Sequence, residues 1–321
     1  MAVVSAIPLS FIPLALLLNL ARRFPGRDLY EYATILLGNY GGKIIIVFLL
    51  VYFTGVNSFF LYDFAYLINL FLLPVTPTVV IMSVTLLIAS YMLCQGVECL
   101  GRVAAFLFPV VLFFLLAGLL TNTGKINWDH FTPVLEQGFP RVMLGSLIKM
   151  SYLGLVIVAG LLLPLTGGDY RKQGKTLIRV LSGSGMISLL IAAFTDAVLG
   201  EEMVKRVTFK FFMLFRHITF QGTSLEPFFM FMWVSVFVPV IALFQYAAAL
   251  GLSRVVATDN YRYFMIPVGL ITIDLALLMF DNRTEFQYFG TYIYPPLTAG
   301  LLFGVLVLLF LAGFFKGKVP G

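Results

Sequence analysis

Hydrophobic runs long enough to cross a bilayer recur along almost the whole of this chain. A crossing needs roughly 20 mostly apolar residues, because the hydrocarbon core is about 30 Å thick. About nine such runs can be marked, at residues 2–20, 44–72, 78–94, 103–120, 146–164, 177–199, 227–250, 263–280 and 290–314. Of 321 residues, 60% are hydrophobic and 11% charged, with a mean hydropathy of +1.00. No soluble domain could enclose that much apolar surface. The runs are continuous, as over Leu301–Leu311, and lack the alternation of barrel strands. Helices satisfy their own backbone in lipid, so the expected fold is an all-α polytopic membrane protein. The loops are too short for a soluble enzyme domain, and residues 1–321 read as a single transmembrane domain.

The net charge of +6 is spread over loops, which speaks for membrane orientation and against a nucleic-acid partner. Loops on one side, from Arg22 and Arg23 to Lys316 and Lys318, hold 13 of the 21 Lys and Arg; the other side holds eight. The positive-inside rule then sets the C-terminus in the cytoplasm and the N-terminus outside. Met1–Leu20 lacks a basic leader, and Arg22-Arg23 stands where a signal peptide would be cleaved, so this run is not a secretory signal. Residues 201–221 mix Phe209, Phe211, Phe212 and Phe215 with Lys205, Arg206, Lys210 and Arg216, which suits a segment in the outer membrane interface or a docking surface for a partner.

Few residues suggest chemistry. Cys94 and Cys99 read as free thiols at a helix end, and His130 and His217 lack paired metal-ligand spacing. No nucleophile triad, zinc-binding HExxH helix or phosphate loop is present in the sequence, so neither an enzyme, a metal site nor a cofactor is expected. Asn282-Arg283-Thr284 matches a glycosylation sequon.

The informative positions are those that weaken or polarise a span. Ligand sites of transporter-like bundles lie near the midplane, where interrupted helices release backbone groups. Residues 146–164 contain Lys149-Met-Ser-Tyr-Leu-Gly154 and Gly160, a place for a break or for close helix packing. Residues 44–72 carry Tyr52 and Val56 on one face, the amide of Asn57, and further out Asp63, a carboxylate expected either to serve a ligand or to reach the external headgroups. Residues 227–250 contain Pro239, which frees the carbonyl of Ser235, followed by Ala242, Gln245 and Tyr246. Asp196, Asp274 and Asp281 lie in or near other spans, and Asp274, the deepest, is expected to pair with Arg254 or Arg262 or to couple to ions. Asp28–Gly42 reads as a short interfacial helix ending in glycines, and Leu73–Pro77 as a tight external turn.

The loops between the spans resemble those of the spore germination permease family, the B subunits of nutrient germinant receptors. The resemblance rests on Ala21-Arg-Arg-Phe-Pro-Gly-Arg-Asp-Leu-Tyr-Glu-Tyr32, on Leu37-Gly-Asn-Tyr-Gly-Gly-Lys43, on Asn127–Gly138, and on Phe215-Arg216, Leu225-Glu226 and Phe231-Met-Trp233-Val. It runs over essentially the whole chain. It implies a LeuT-type inverted-repeat bundle of the amino acid–polyamine–organocation superfamily, with ten spans, cytoplasmic termini, and first and sixth helices broken around a central pocket. Aligned in this way, the chain starts at the family's second helix. The first helix is then absent, through a misplaced start or a real truncation.

The broken sixth helix corresponds to residues 146–164, where Ser151-Tyr-Leu-Gly-Leu155 stands in place of a Phe-Pro-Phe-Gly-Glu-like stretch. Leu155 thus replaces a carboxylate, and a neutral or hydrophobic germinant is expected. The family pocket carried onto this chain comprises Tyr52, Val56 and Asn57, Gly154 and Leu155, and Ala242, Gln245 and Tyr246. The resemblance implies a sensor of a small nutrient such as an amino acid, in contact with membrane lipid, an A-type membrane subunit and a C-type lipoprotein subunit. The alternatives are an amino acid secondary transporter and a truncated, non-functional paralogue.

Overall fold

The computed structural model describes residues 2–131, 138–167, 169–207, 209–216, 219–220, 223–224, 226–280 and 282–316. Several positions singled out above, namely His217, Leu225, Asp281, Lys318 and residues 132–137 of the Asn127–Gly138 stretch, lie outside the described residues. Eight helical stretches are long and apolar enough to cross a membrane, and Thr78–Cys94 adds a shorter apolar helix. Each of the nine expected runs falls on one of these nine elements. The chain is an all-α polytopic membrane protein, and its only described strands are a two-residue pair, Thr219–Phe220 with Thr223–Ser224.

Helix α1 (Ala2–Arg23) turns through Phe24–Arg27 into α2 (Leu29–Phe71). In that turn the Gly26 N–H donates to the Tyr170 hydroxyl. Asp28 caps α2: its Oδ1 accepts from Glu31 N at 2.8 Å, and Glu31 Oε2 accepts from Asp28 N at 3.1 Å. Gly38 interrupts α2 with φ 76° and ψ 178°, a conformation open essentially to glycine alone. The short helix expected to end in glycines is therefore residues 29–37. Residues 39–71 continue as a rod of about 50 Å. This rod is the spine of the bundle and packs on α3 (Thr78–Cys94), α9 (Glu226–Val256), α10 (Met265–Met279) and α12 (Tyr294–Lys316).

The turn after α2 is closed by Asn69, whose Nδ2 donates to Leu73 O and Thr76 O while its Oδ1 accepts from Thr78 Oγ1 at 2.9 Å. Helix α4 (Val97–Thr121) follows, and then α5 (Gly138–Leu153). At Gly154 the α-helix gives way to a 3₁₀ turn over Gly154–Val158, followed by the short α6 (Ala159–Leu162) and a second 3₁₀ turn, Leu163–Thr166. The sequence there places glycines at 154 and 160 and proline at 164, residues that weaken an α-ladder. Helix α7 (Tyr170–Arg206) is itself broken at Gly200, where the backbone turns past the ring of His130.

Part of the segment after α7 packs into the protein. Leu214 and Phe215 of α8 (Lys210–Arg216) are buried, and the Phe215 ring stacks on Phe229 at 4.1 Å. Asn122 at the end of α4 ties the segment down, donating to Leu214 O at 2.9 Å. Its aromatic residues thus include some that serve protein packing. A final short helix, α11 (Arg283–Tyr288), passes through a π-turn over Phe289–Ile293 into α12.

Candidate ligand-binding site

Two faces of α2 organise the polar residues of the core. Tyr52, Val56 and Phe59 follow at i, i+4 and i+7 and so share one face. Phe59 stacks flat on Tyr294 of α12, with ring centroids 4.9 Å apart. One turn further along α12, Thr298 Oγ1 lies beside the hydroxyls of both Tyr52 and Tyr294. All three oxygens are buried, and none makes a hydrogen bond of good geometry among the described residues. The Tyr152 ring of α5 lies 5.2 Å from that of Tyr294, which brings the break at Gly154 to this cluster. A buried hydroxyl left without a partner costs about 1–3 kcal/mol. Three converging on one spot form a polar locus in an otherwise apolar core.

The adjacent face, about 100° round α2, carries Asn57 with Phe53, Phe60 and Phe64. These rings pack on Phe237 and Phe244 of α9. Asn57 is fully buried, and neither end of its amide has a partner among the described residues. Ala242 lies buried on α9 and Leu155 is half-buried in the 3₁₀ turn. The candidates on α2 and the interrupted helix thus flank a common core.

The remaining candidates on α9 point elsewhere. Gln245 Nε2 donates to Ser90 Oγ at 2.8 Å and to Met265 O at 3.0 Å, so this amide joins α9 to α3 and α10. Tyr246 meets Tyr261 edge to face at 5.0 Å, close to the end of the bundle where Tyr30 OH donates to Ala247 O at 2.7 Å. There Arg254 holds Asp28 at 2.8 Å and Glu31 at 3.5 Å.

Two carboxylates also differ from expectation. Arg254 is committed to Asp28 and Glu31, and Asp274 faces outward from α10. Asp63, expected to reach either headgroups or a ligand, is instead paired with Arg283 at 2.8 Å. The Arg283 guanidinium sits among the rings of Tyr66, Phe209 and Phe286, 4.4–4.9 Å from their centroids.

Residues 1–285 match the family model described as spore germination protein. The chain belongs to the spore germination protein family. Its relatives in Bacillus subtilis (strain 168) include three spore germination proteins. YndE is 25% identical over 244 residues, covering 74% of this chain and 66% of YndE. Spore germination protein A2 is 26% identical over 291 residues, 88% of this chain and 77% of its own. Spore germination protein KB is 24% identical over 296 residues, 90% of this chain and 78% of its own. The chain thus spans about two thirds of the first of these relatives and about three quarters of the other two. The family is one of germination proteins, not an enzyme family.

For this family member, reading spans one at a time found the run at 290–314 but left its polar residues out of the candidate pocket. Tyr294 and Thr298 sit inside a run that registers only as hydrophobic. The available signals were Tyr294-Pro295-Pro296 and the isolated hydroxyl of Thr298. The π-turn just before Tyr294, a geometry frequent at functional sites, has no sequence signature of its own.

Proposed function

We propose that this protein is the membrane subunit of a spore nutrient-germinant receptor. It binds a small nutrient, an amino acid by preference, between α2, the interrupted α5–α6 segment and α12. Ligand then favours one packing of the bundle, and that bias passes to partner subunits, an A-type membrane protein and a C-type lipoprotein. The supporting observation is the buried trio of Tyr52, Tyr294 and Thr298 hydroxyls beside the Gly154 break. Hydroxyls and freed backbone groups suit the ammonium and carboxylate of an amino acid, while Val56, Leu155 and Ala242 supply apolar surface for its side chain. The spore inner membrane, with the C-terminus in the cytoplasm, is the location this role requires.

Coupled transport fits less well. A coupling carboxylate should face the bundle interior with freedom to take up a cation, whereas Asp63 is held by Arg283 and Asp274 points outward.

The test is nutrient-triggered release of dipicolinic acid from spores lacking the gene, across single amino acids and sugars. Loss of response to one nutrient, restored by the wild-type gene, is the expected result. Tyr52→Phe and Thr298→Val keep shape and remove one hydroxyl each. Each is expected to raise the half-maximal nutrient concentration by about tenfold, the worth of one hydrogen bond. Gly154→Val is expected to abolish the response. An unchanged response in the deleted strain, or dose curves that these variants leave in place, would overturn the proposal. Substrate flux into proteoliposomes would then identify a transporter.

A further inference from the structure

Helix α10 buries Val268, Gly269, Thr272, Ile273 and Ala276 against its neighbours and turns its other side outward. Ile266, Leu270, Asp274 and Leu278 follow at four-residue intervals and form one outward stripe. The three apolar members are 67%, 58% and 80% exposed, as a lipid-facing helix requires. Asp274 is the exception: a carboxylate in the middle of this stripe, with no hydrogen bond or ion pair among the described residues.

Its depth follows from the packing. Ser58 Oγ donates to Thr272 O at 3.0 Å, which sets Thr272 level with Ser58 of α2. The turn after α2 begins at Asn69, eleven residues and about 16 Å further along that helix. Asp274, two residues beyond Thr272, therefore lies about 13 Å below the turn, within the hydrocarbon layer. Aspartate near a helix centre is among the costliest residues to place in lipid. Its short side chain cannot snorkel as Lys and Arg do. Intramembrane ionisable groups pair with one another or line a pathway, and the bundle offers Asp274 neither.

We propose that this stripe of α10 seats a transmembrane helix of another protein, which presents a lysine or arginine to Asp274. The apolar residues one turn above and below supply the helix contact, and the ion pair fixes its rotation and register. The surface lies on the opposite side of α10 from α2 and the hydroxyl trio. It depends on the membrane placement of the chain and not on nutrient binding.

The experiment places a photo-crosslinking benzoylphenylalanine at Leu270 or Leu278 in the sporulating host, with Phe113 and Val180 as lipid-facing controls. Crosslinked peptides are then identified by mass spectrometry. The expected product joins α10 to a membrane span of a different protein that carries a Lys or Arg within one turn of the crosslink. Asp274→Leu should lower its yield at least tenfold. That change removes a charge from a lipid-facing position, so the variant should remain in the membrane at normal abundance. Asp274→Lys should likewise lose the product, and exchange of the partner's basic residue for aspartate should restore it. Adducts with lipid alone, with a second copy of this chain, or at a yield indifferent to Asp274→Leu would each overturn the proposal. None of these outcomes depends on which nutrient, if any, the hydroxyl trio binds.

Discussion

Membranes carrying Arg283→Ala are expected to yield protein that unfolds at a markedly lower temperature than wild type. The pair is largely enclosed, with side-chain exposures of 16% for Arg283 and 22% for Asp63. Removing the guanidinium leaves the Asp63 carboxylate without its counter-charge. Breaking a buried pair from one side typically costs about 3–5 kcal/mol. Arg283 also fills the space between Tyr66, Phe209 and Phe286, so its loss loosens α2, the segment before α8, and α11 together. Arg283→Lys keeps the charge but loses the planar fork and the ring contacts, and should fall between the two. Adding Asp63→Asn to Arg283→Ala should recover part of the loss, because the uncompensated charge is gone. Thermal unfolding of purified protein in lipid nanodiscs measures all four. An Arg283→Ala protein as stable as wild type would mean that the pair contributes nothing to the fold.

The second large effect is expected at Gly42. The reversal at Gly38 lays Thr34 directly against Gly42. A methyl group on Gly42 would sit 2.5 Å from Thr34 Cα and 2.7 Å from its N. These are backbone atoms and cannot rotate away. The helix of residues 29–37 would have to move, against the Arg254–Asp28 ion pair and the Tyr30–Ala247 hydrogen bond. Forcing extra volume into a packed contact costs about 1–3 kcal/mol, so Gly42→Ala should lower the unfolding temperature by several degrees and Gly42→Val by more. Gly55, thirteen residues further along α2 and half-buried, is the control. Nothing lies within 4 Å of a Cβ built there. Gly55→Ala should leave stability unchanged or slightly raised, since alanine favours helix by about 1 kcal/mol. Equal behaviour of the two alanine variants would show that the close approach of Thr34 imposes no constraint.

These two sites also mark what could be read from the residues alone. Bilayer thickness and backbone satisfaction impose long apolar helices, so the spans were legible from composition along the chain. The break at Gly154 and the bend near Gly38 were legible for a related reason, because glycine at such positions has a local conformational meaning. Which face of a helix meets which neighbour is a property of two segments at once. Asn57 and Gln245 are both amides in hydrocarbon, and both read as ligand groups. Only packing shows that the Gln245 nitrogen is already engaged by Ser90 and Met265, while its Oε1 and both ends of the Asn57 amide have no partner among the described residues. Asp63 and Arg283 are 220 residues apart in sequence, and no local pattern announces their pairing. Asp274 was legible as a deep carboxylate, but its direction was not, since α10 is apolar all round except at Asp274 and Thr272.

The clamp at the far end of α2 has a mechanical meaning. Residues 29–37 are fastened to the last turns of α9 by Arg254 and Tyr30, and they join the rest of α2 through the single glycine at 38. Stretching an ion pair and a hydrogen bond together is costly, so the short arm is bound to follow α9. With Thr34 packed on Gly42, the same arm also bears on the long rod that carries Tyr52, which makes it a bridge between the two helices.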